Sequence, residues 1–129
     1  WPTINGQWIP AELNTMTPGW KNWFDNKITV QFIHRTLAYL LLALTLVFWI
    51  RSLKVHGNRL FRTIRHLPLF FVLLQVALGI GTVVLSPYGN NLVYFGVAHQ
   101  TVAILFLLSI LLVMFIVRKK VHRYSLFGN

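Results

Sequence analysis

Polar and charged positions are bunched along this chain. They leave three long apolar stretches at residues 28–50, 67–86 and 92–117. Each reaches about 30 Å at a helical rise of ~1.5 Å per residue, enough to cross the hydrocarbon layer of a bilayer. The first is broken only by Gln31, His34, Arg35 and a few small hydroxyl residues. Pro68 falls in the first turn of the second, where a missing N–H is harmless, and Pro87 follows its end. The pattern predicts an all-α integral membrane chain with three transmembrane helices.

Composition agrees, since 56% of the 129 residues are hydrophobic and 11% are charged. A soluble core cannot absorb runs of this length, so most burial is against lipid and neighbouring helices. The formal net charge of +10 carries a different message from nucleic-acid binding. Five of the twelve basic residues lie between Arg51 and Arg65 and four between Arg118 and Arg123, directly after apolar segments. That placement follows the positive-inside rule, and no RNA-reading motif accompanies it. With no cysteine, the chain carries no disulfide, zinc–thiolate site or c-type haem attachment motif.

The loops set the expected topology. Residues 51–66 form a basic inner connection and 118–129 a basic inner tail, whereas 87–91 form an uncharged outer turn. Residues 1–27 hold three prolines, two glycines and four of the five tryptophans, the composition of an outer loop lying on the membrane interface. Lys21 and Lys27 on that side are outnumbered by the inner cations. The segment lacks the basic and apolar regions of a signal peptide. An odd helix count with the amino terminus outside leads us to expect a further helix upstream.

On this topology the unusual intramembrane residues share one depth. His34 is six residues from the outer start of its helix and His99 seven, while Gly79, Gly81 and Thr82 stand four to seven residues from Ser86. The layer lies roughly 6–10 Å below the outer boundary. Both histidines open a His-x-Thr-x-Ala pattern, which sets Ala38 and Ala103 one turn below them on the same face. Imidazoles are costly in lipid and usually functional there. Two nitrogen ligands beside a layer of small residues suit the two axial positions of haem iron, with His34 and His99 as ligands and Gly79, Gly81, Thr82, Ala38 and Ala103 lining the porphyrin. Zinc would require a third or fourth protein ligand. The alternative is that the histidines only hydrogen-bond between helices, as Gln31, Gln75 and Gln100 are also placed to do. Arg35 has two candidate roles, pairing with a haem propionate or snorkelling to outer headgroups. His56, His66 and His122 belong to the basic loops and read as surface residues.

Asn5-Gly6-Gln7-Trp8-Ile9-Pro10, Phe24-Asp25-Asn26, and the run from Thr29 through Gln31, His34 and Arg35 to Tyr39 resemble the carboxy-terminal half of haem A synthases. So do Gln75-Val76-Ala77-Leu78-Gly79-Ile80-Gly81-Thr82-Val83 and Ala98-His99-Gln100. The resemblance covers nearly the whole chain. It implies a parent enzyme with two pseudo-symmetric four-helix halves, each with a bis-histidine site, that oxidises the C8 methyl of haem O to the formyl group of haem A for terminal oxidases. This chain would supply three helices of one half. In the amino-terminal half of such enzymes a glutamate precedes the first histidine by three residues; here that place is Gln31, whose neutral amide cannot act as a carboxylate. By resemblance, this half therefore holds a permanent haem b that relays electrons, and the segment alone makes no haem A.

The implied surroundings are lipid, haem, the amino-terminal half or another copy of the bundle, and haem O synthase with terminal oxidase assembly proteins. The implied location is a bacterial or mitochondrial inner membrane, with the haem layer near the outer face. Two other classes remain open: a stand-alone membrane b-type cytochrome, which calls for a second histidine pair near the inner side, and a cofactor-free assembly subunit.

Overall fold

The computed structural model describes residues 2–85 and 92–127, with side chains for 2–85 and 93–118. The turn expected at residues 87–91 lies outside the described residues, as do the side chains of the basic tail beyond Arg118. Among the described residues four α-helices run in the order α1 (Lys27–Leu53), α2 (Arg59–Ile64), α3 (Leu67–Leu85) and α4 (Leu92–Phe127). Short 3-10 turns, Ala11–Asn14 and Gly19–Trp23, precede them. Among the described residues three stretches are long and apolar enough to cross a membrane: Lys27–Leu53, Arg59–Leu85 and Val93–Arg118. Large apolar side chains stay outward, with Phe70, Leu73, Ile104 and Leu107 all more than half exposed. In water such a surface would aggregate; against lipid it is the ordinary exterior of a spanning helix.

The chain divides into two compact units, Trp1–Leu41 and Leu42–Asn129. In the first, the Asn5-Gly6 dipeptide makes a tight turn: both residues have positive φ, 51° and 78°, and Ile4 and Gln7 exchange two main-chain hydrogen bonds of 2.9 Å. Asparagine and glycine tolerate that left-handed region best, which is why this pair nucleates such turns. Asn26 then starts α1, its Oδ1 accepting from the N–H groups of Ile28 and Thr29 at 3.0 and 3.3 Å. Its Nδ2 donates to the Glu12 carbonyl at 2.8 Å, and Thr29 Oγ1 to the Leu13 carbonyl at 2.7 Å. Asn22 is buried and accepts from the Met16 N–H at 2.9 Å. Asn22, Asn26 and Thr29 thereby tie residues 12–16 to the first turn of α1.

In the second unit α3 packs along α4. The connection read from the sequence as a basic loop contains α2, capped by Asn58 Oδ1 accepting from the Phe61 N–H at 2.9 Å. Phe61 and Ile64, three residues apart, turn inward onto Val113 of α4, with Leu67 and Ile116 alongside. Hiding an apolar side chain of this size from water is worth roughly 1.5–3 kcal/mol, which lets a six-residue helix persist between its charged neighbours. Arg65 donates from Nη1 to the Ser52 carbonyl at 2.9 Å, and Trp49 from Nε1 to His66 Nδ1 at 2.9 Å.

Candidate functional site

His34 lies on α1 in the first unit, with an exposed side chain. Arg35 beside it donates from Nη1 to the main-chain carbonyls of Pro2 at 2.8 Å and Thr3 at 3.0 Å. The guanidinium thus ties the residues before the Asn5-Gly6 turn to α1, an arrangement in which main-chain dipoles rather than an anion face the charge. Ala38, half-buried, follows one turn after His34. An open cavity of about 370 Å³ sits on the neighbouring face, lined by Leu13, Asn14, Asn22, Trp23, Thr29, Phe32 and Ile33. Neither His34 nor Arg35 lines it.

His99 lies on α4 in the second unit, half-buried and held at both ring nitrogens by one residue of α3. Its Nδ1 is 3.1 Å from the main-chain oxygen of Gln75 and its Nε2 is 3.0 Å from the Gln75 side-chain Nε2. A carbonyl only accepts, so the proton sits on Nδ1; Nε2 then carries the lone pair and the Gln75 amide donates to it. Gln75, expected from the sequence as a polar interhelical contact, fills that role, and its Oε1 is buried with no hydrogen-bond partner among the described residues.

Gly79 makes this approach possible. It lies one turn beyond Gln75 on the same face, and a methyl group there would come within 3.1 Å of His99 Cε1 and 3.5 Å of Nδ1. A methyl at Gly81 would come within 3.1 Å of Phe95 Cε1. The room left by both glycines, expected to clear a porphyrin edge, is taken up at the described positions by ring side chains of α4. Thr82 donates to its own helix, to the Leu78 carbonyl at 2.8 Å, and Ala103 is half-buried. The threonines of the two His-x-Thr-x-Ala patterns behave alike: Thr36 and Thr101 each bond the carbonyl four residues back, at 2.9 Å.

Sequence reasoning missed the double hold of Gln75 on His99 and the capping role of Asn26. The Gln75-to-Gly79 spacing of one helical turn was the available signal for the first, and an asparagine before an apolar helix for the second. Among the described residues no three His, Cys, Asp or Glu side chains gather into a metal-binding group.

The fold and these residues define a helical membrane protein with His34 inside one apolar stretch long enough to span and His99 inside another. Residues 1–111 match the family model COX15-CtaA, described as cytochrome oxidase assembly protein. A heme A synthase of Beijerinckia indica is 44% identical over 111 residues, covering 83% of this chain and 29% of the relative. One from Roseobacter denitrificans is 35% identical over 108 residues, 81% and 26% of the two chains. One from Paracoccus denitrificans is 42% identical over 80 residues, 62% and 21%. The chain belongs to the haem A synthase family, and it spans about a quarter of the length of the curated relatives it matches. No solved structure matches it.

Proposed function

We propose that this chain is the haem b-holding part of a haem A synthase, with His34 and His99 as the two axial ligands. Family membership supplies the haem, and the observation that carries the ligand assignment is the His99 ring, whose Nδ1 is committed to a main-chain carbonyl. A ligating imidazole is usually anchored in this way, the carbonyl fixing the tautomer and raising the basicity of the other nitrogen. The residues present fit the group in kind, a neutral Nε2 donor with small side chains at Ala38, Ala103 and Thr82, while the room beside Gly79 and Gly81 seats the His99 and Phe95 rings.

When bound, haem b supplies a reversible one-electron carrier. His34 and His99 would hold its iron and the apolar helix faces would exclude water, while Arg35 spends Nη1 on the Pro2 and Thr3 carbonyls and would have only its other N–H groups for a propionate. By the resemblance, the half that oxidises the haem O methyl carries a glutamate where this chain has Gln31, so that step is assigned to another part of the whole protein. Haem O synthase and terminal oxidase assembly proteins are its expected partners, and a bacterial or mitochondrial inner membrane its expected location, with the haem toward the outer face.

The Gln75–His99 contact equally suits a histidine that only joins helices, the second reading. An absorption spectrum of the reduced whole protein, with the other half's histidines replaced, separates the two. A sharp low-spin α band is expected, lost or turned high-spin by His34→Ala and by His99→Ala and kept by His56→Ala. Haem retained by both intramembrane variants would leave the helix-joining reading.

A further inference from the structure

Resting on the haem reading, we propose that Gln75 is the positioning residue of His99. Its main-chain carbonyl selects the ligand nitrogen, and its side-chain amide caps that nitrogen until iron displaces it. Two atoms of one residue bracket the ring, Nδ1 at 3.1 Å from the carbonyl and Nε2 at 3.0 Å from the amide nitrogen. Only the Nδ1–H form satisfies both, so the helix backbone itself commits Nε2 to coordination. Backbone cannot rotate away. The amide can, by turning its side chain.

The cap is built to be released. Its Oε1 is buried without a partner among the described residues, so the capped state carries an uncompensated polar atom that a turned amide would relieve. The vacated Nε2 keeps its orientation, because Gly79 leaves the ring seated against the α3 backbone, 3.1 Å from where a Cβ would be. On binding the group, His99 Nε2 would give up its hydrogen bond from the Gln75 amide, and no proton would have to leave the ring, since Nε2 already carries its lone pair. In the haem-free protein the same cap keeps a bare imidazole nitrogen from facing lipid.

The test compares wild type with Gln75→Leu, which removes the amide, keeps the carbonyl and preserves volume. Whole protein stripped of haem is titrated with haem b, counting only uptake that His99→Ala abolishes. Gln75→Leu should bind about fivefold tighter, the effect of removing a competing hydrogen bond of about 1 kcal/mol, with an unchanged low-spin spectrum. Equal or weaker binding overturns the cap. Nitrogen-15 NMR of histidine-labelled, haem-free wild type reads the selection directly and requires no variant: protonated Nδ1 at His99 is expected, and protonated Nε2 overturns it. Absence of haem uptake by wild type, with Nδ1 still protonated, defeats the haem reading and the cap's release while leaving the carbonyl hold in place.

Discussion

The same five-residue pattern occurs twice in this chain and is built into two different environments. His34 and His99 each precede a threonine that bonds back to its own helix at 2.9 Å, so the local backbone chemistry is alike. The residue after each histidine differs: Arg35 reaches the carbonyls of Pro2 and Thr3, whereas Gln100 is exposed. The histidines differ more. His34 has an exposed side chain on a helix whose start is fixed by an asparagine network, while His99 is gripped at both ring nitrogens from a neighbouring helix. A repeated motif thus sets which residue types recur, and the packing around each copy sets how far its imidazole is buried.

The largest effect should come from filling the space that only the His99 copy uses. Gly79→Leu should force the ring off the Gln75 carbonyl and reduce His99-dependent haem occupancy more than tenfold, whereas Gly81→Leu places its Cβ against Phe95 rather than His99 and should reduce it less. Haem-to-protein ratios after purification measure both. Equal losses would mean that the glycines serve general helix packing.

A middle-sized effect belongs to the His34 copy. Asn26→Ala removes the cap of α1 along with the tie to the Glu12 carbonyl, and should cost about 1 kcal/mol of stability. Hydrogen exchange should show faster opening at Ile28 and Thr29, with the His99 region unaffected. Loss of protection throughout the chain would mean that this cap supports more than the start of α1.

The smallest effects are expected where the copies agree. Thr36→Val and Thr101→Val each delete a side-chain bond to a carbonyl that the helix already uses, and each should shift thermal stability by no more than about 0.5 kcal/mol. A large loss at one threonine alone would reveal a contact beyond its own helix.

The spanning helices were legible because a bilayer leaves the backbone few options, and residues 28–50, 67–86 and 92–117 are too apolar for anything else. Family membership was legible because His34, Arg35, Gln75 and His99 stand in ordered motifs. Less visible was α2: its arginines dominate a short segment, and the inward pair Phe61 and Ile64 gains meaning only once Val113 is found opposite. The turn at Asn5-Gly6 had a clear local signature that the surrounding loop composition obscured. The Gln75 hold on His99 depends on the rotation of α3 about its axis relative to α4, which periodicity does not specify. The space beside Gly79 was foreseeable, but whether a ring of the protein or a porphyrin enters it is decided by tertiary packing.

The central claim, that one haem b is held by His34 and His99 together, is tested most directly by exchanging ligands rather than deleting them. Ferric and reduced spectra, near-infrared magnetic circular dichroism and the midpoint potential should be recorded for the whole protein with His34→Met and with His99→Met, the other half's histidines replaced throughout. Bis-histidine ligation in the parent should become histidine–methionine ligation in each variant, with a higher potential in both. A bis-histidine signature that survives either replacement would contradict the account.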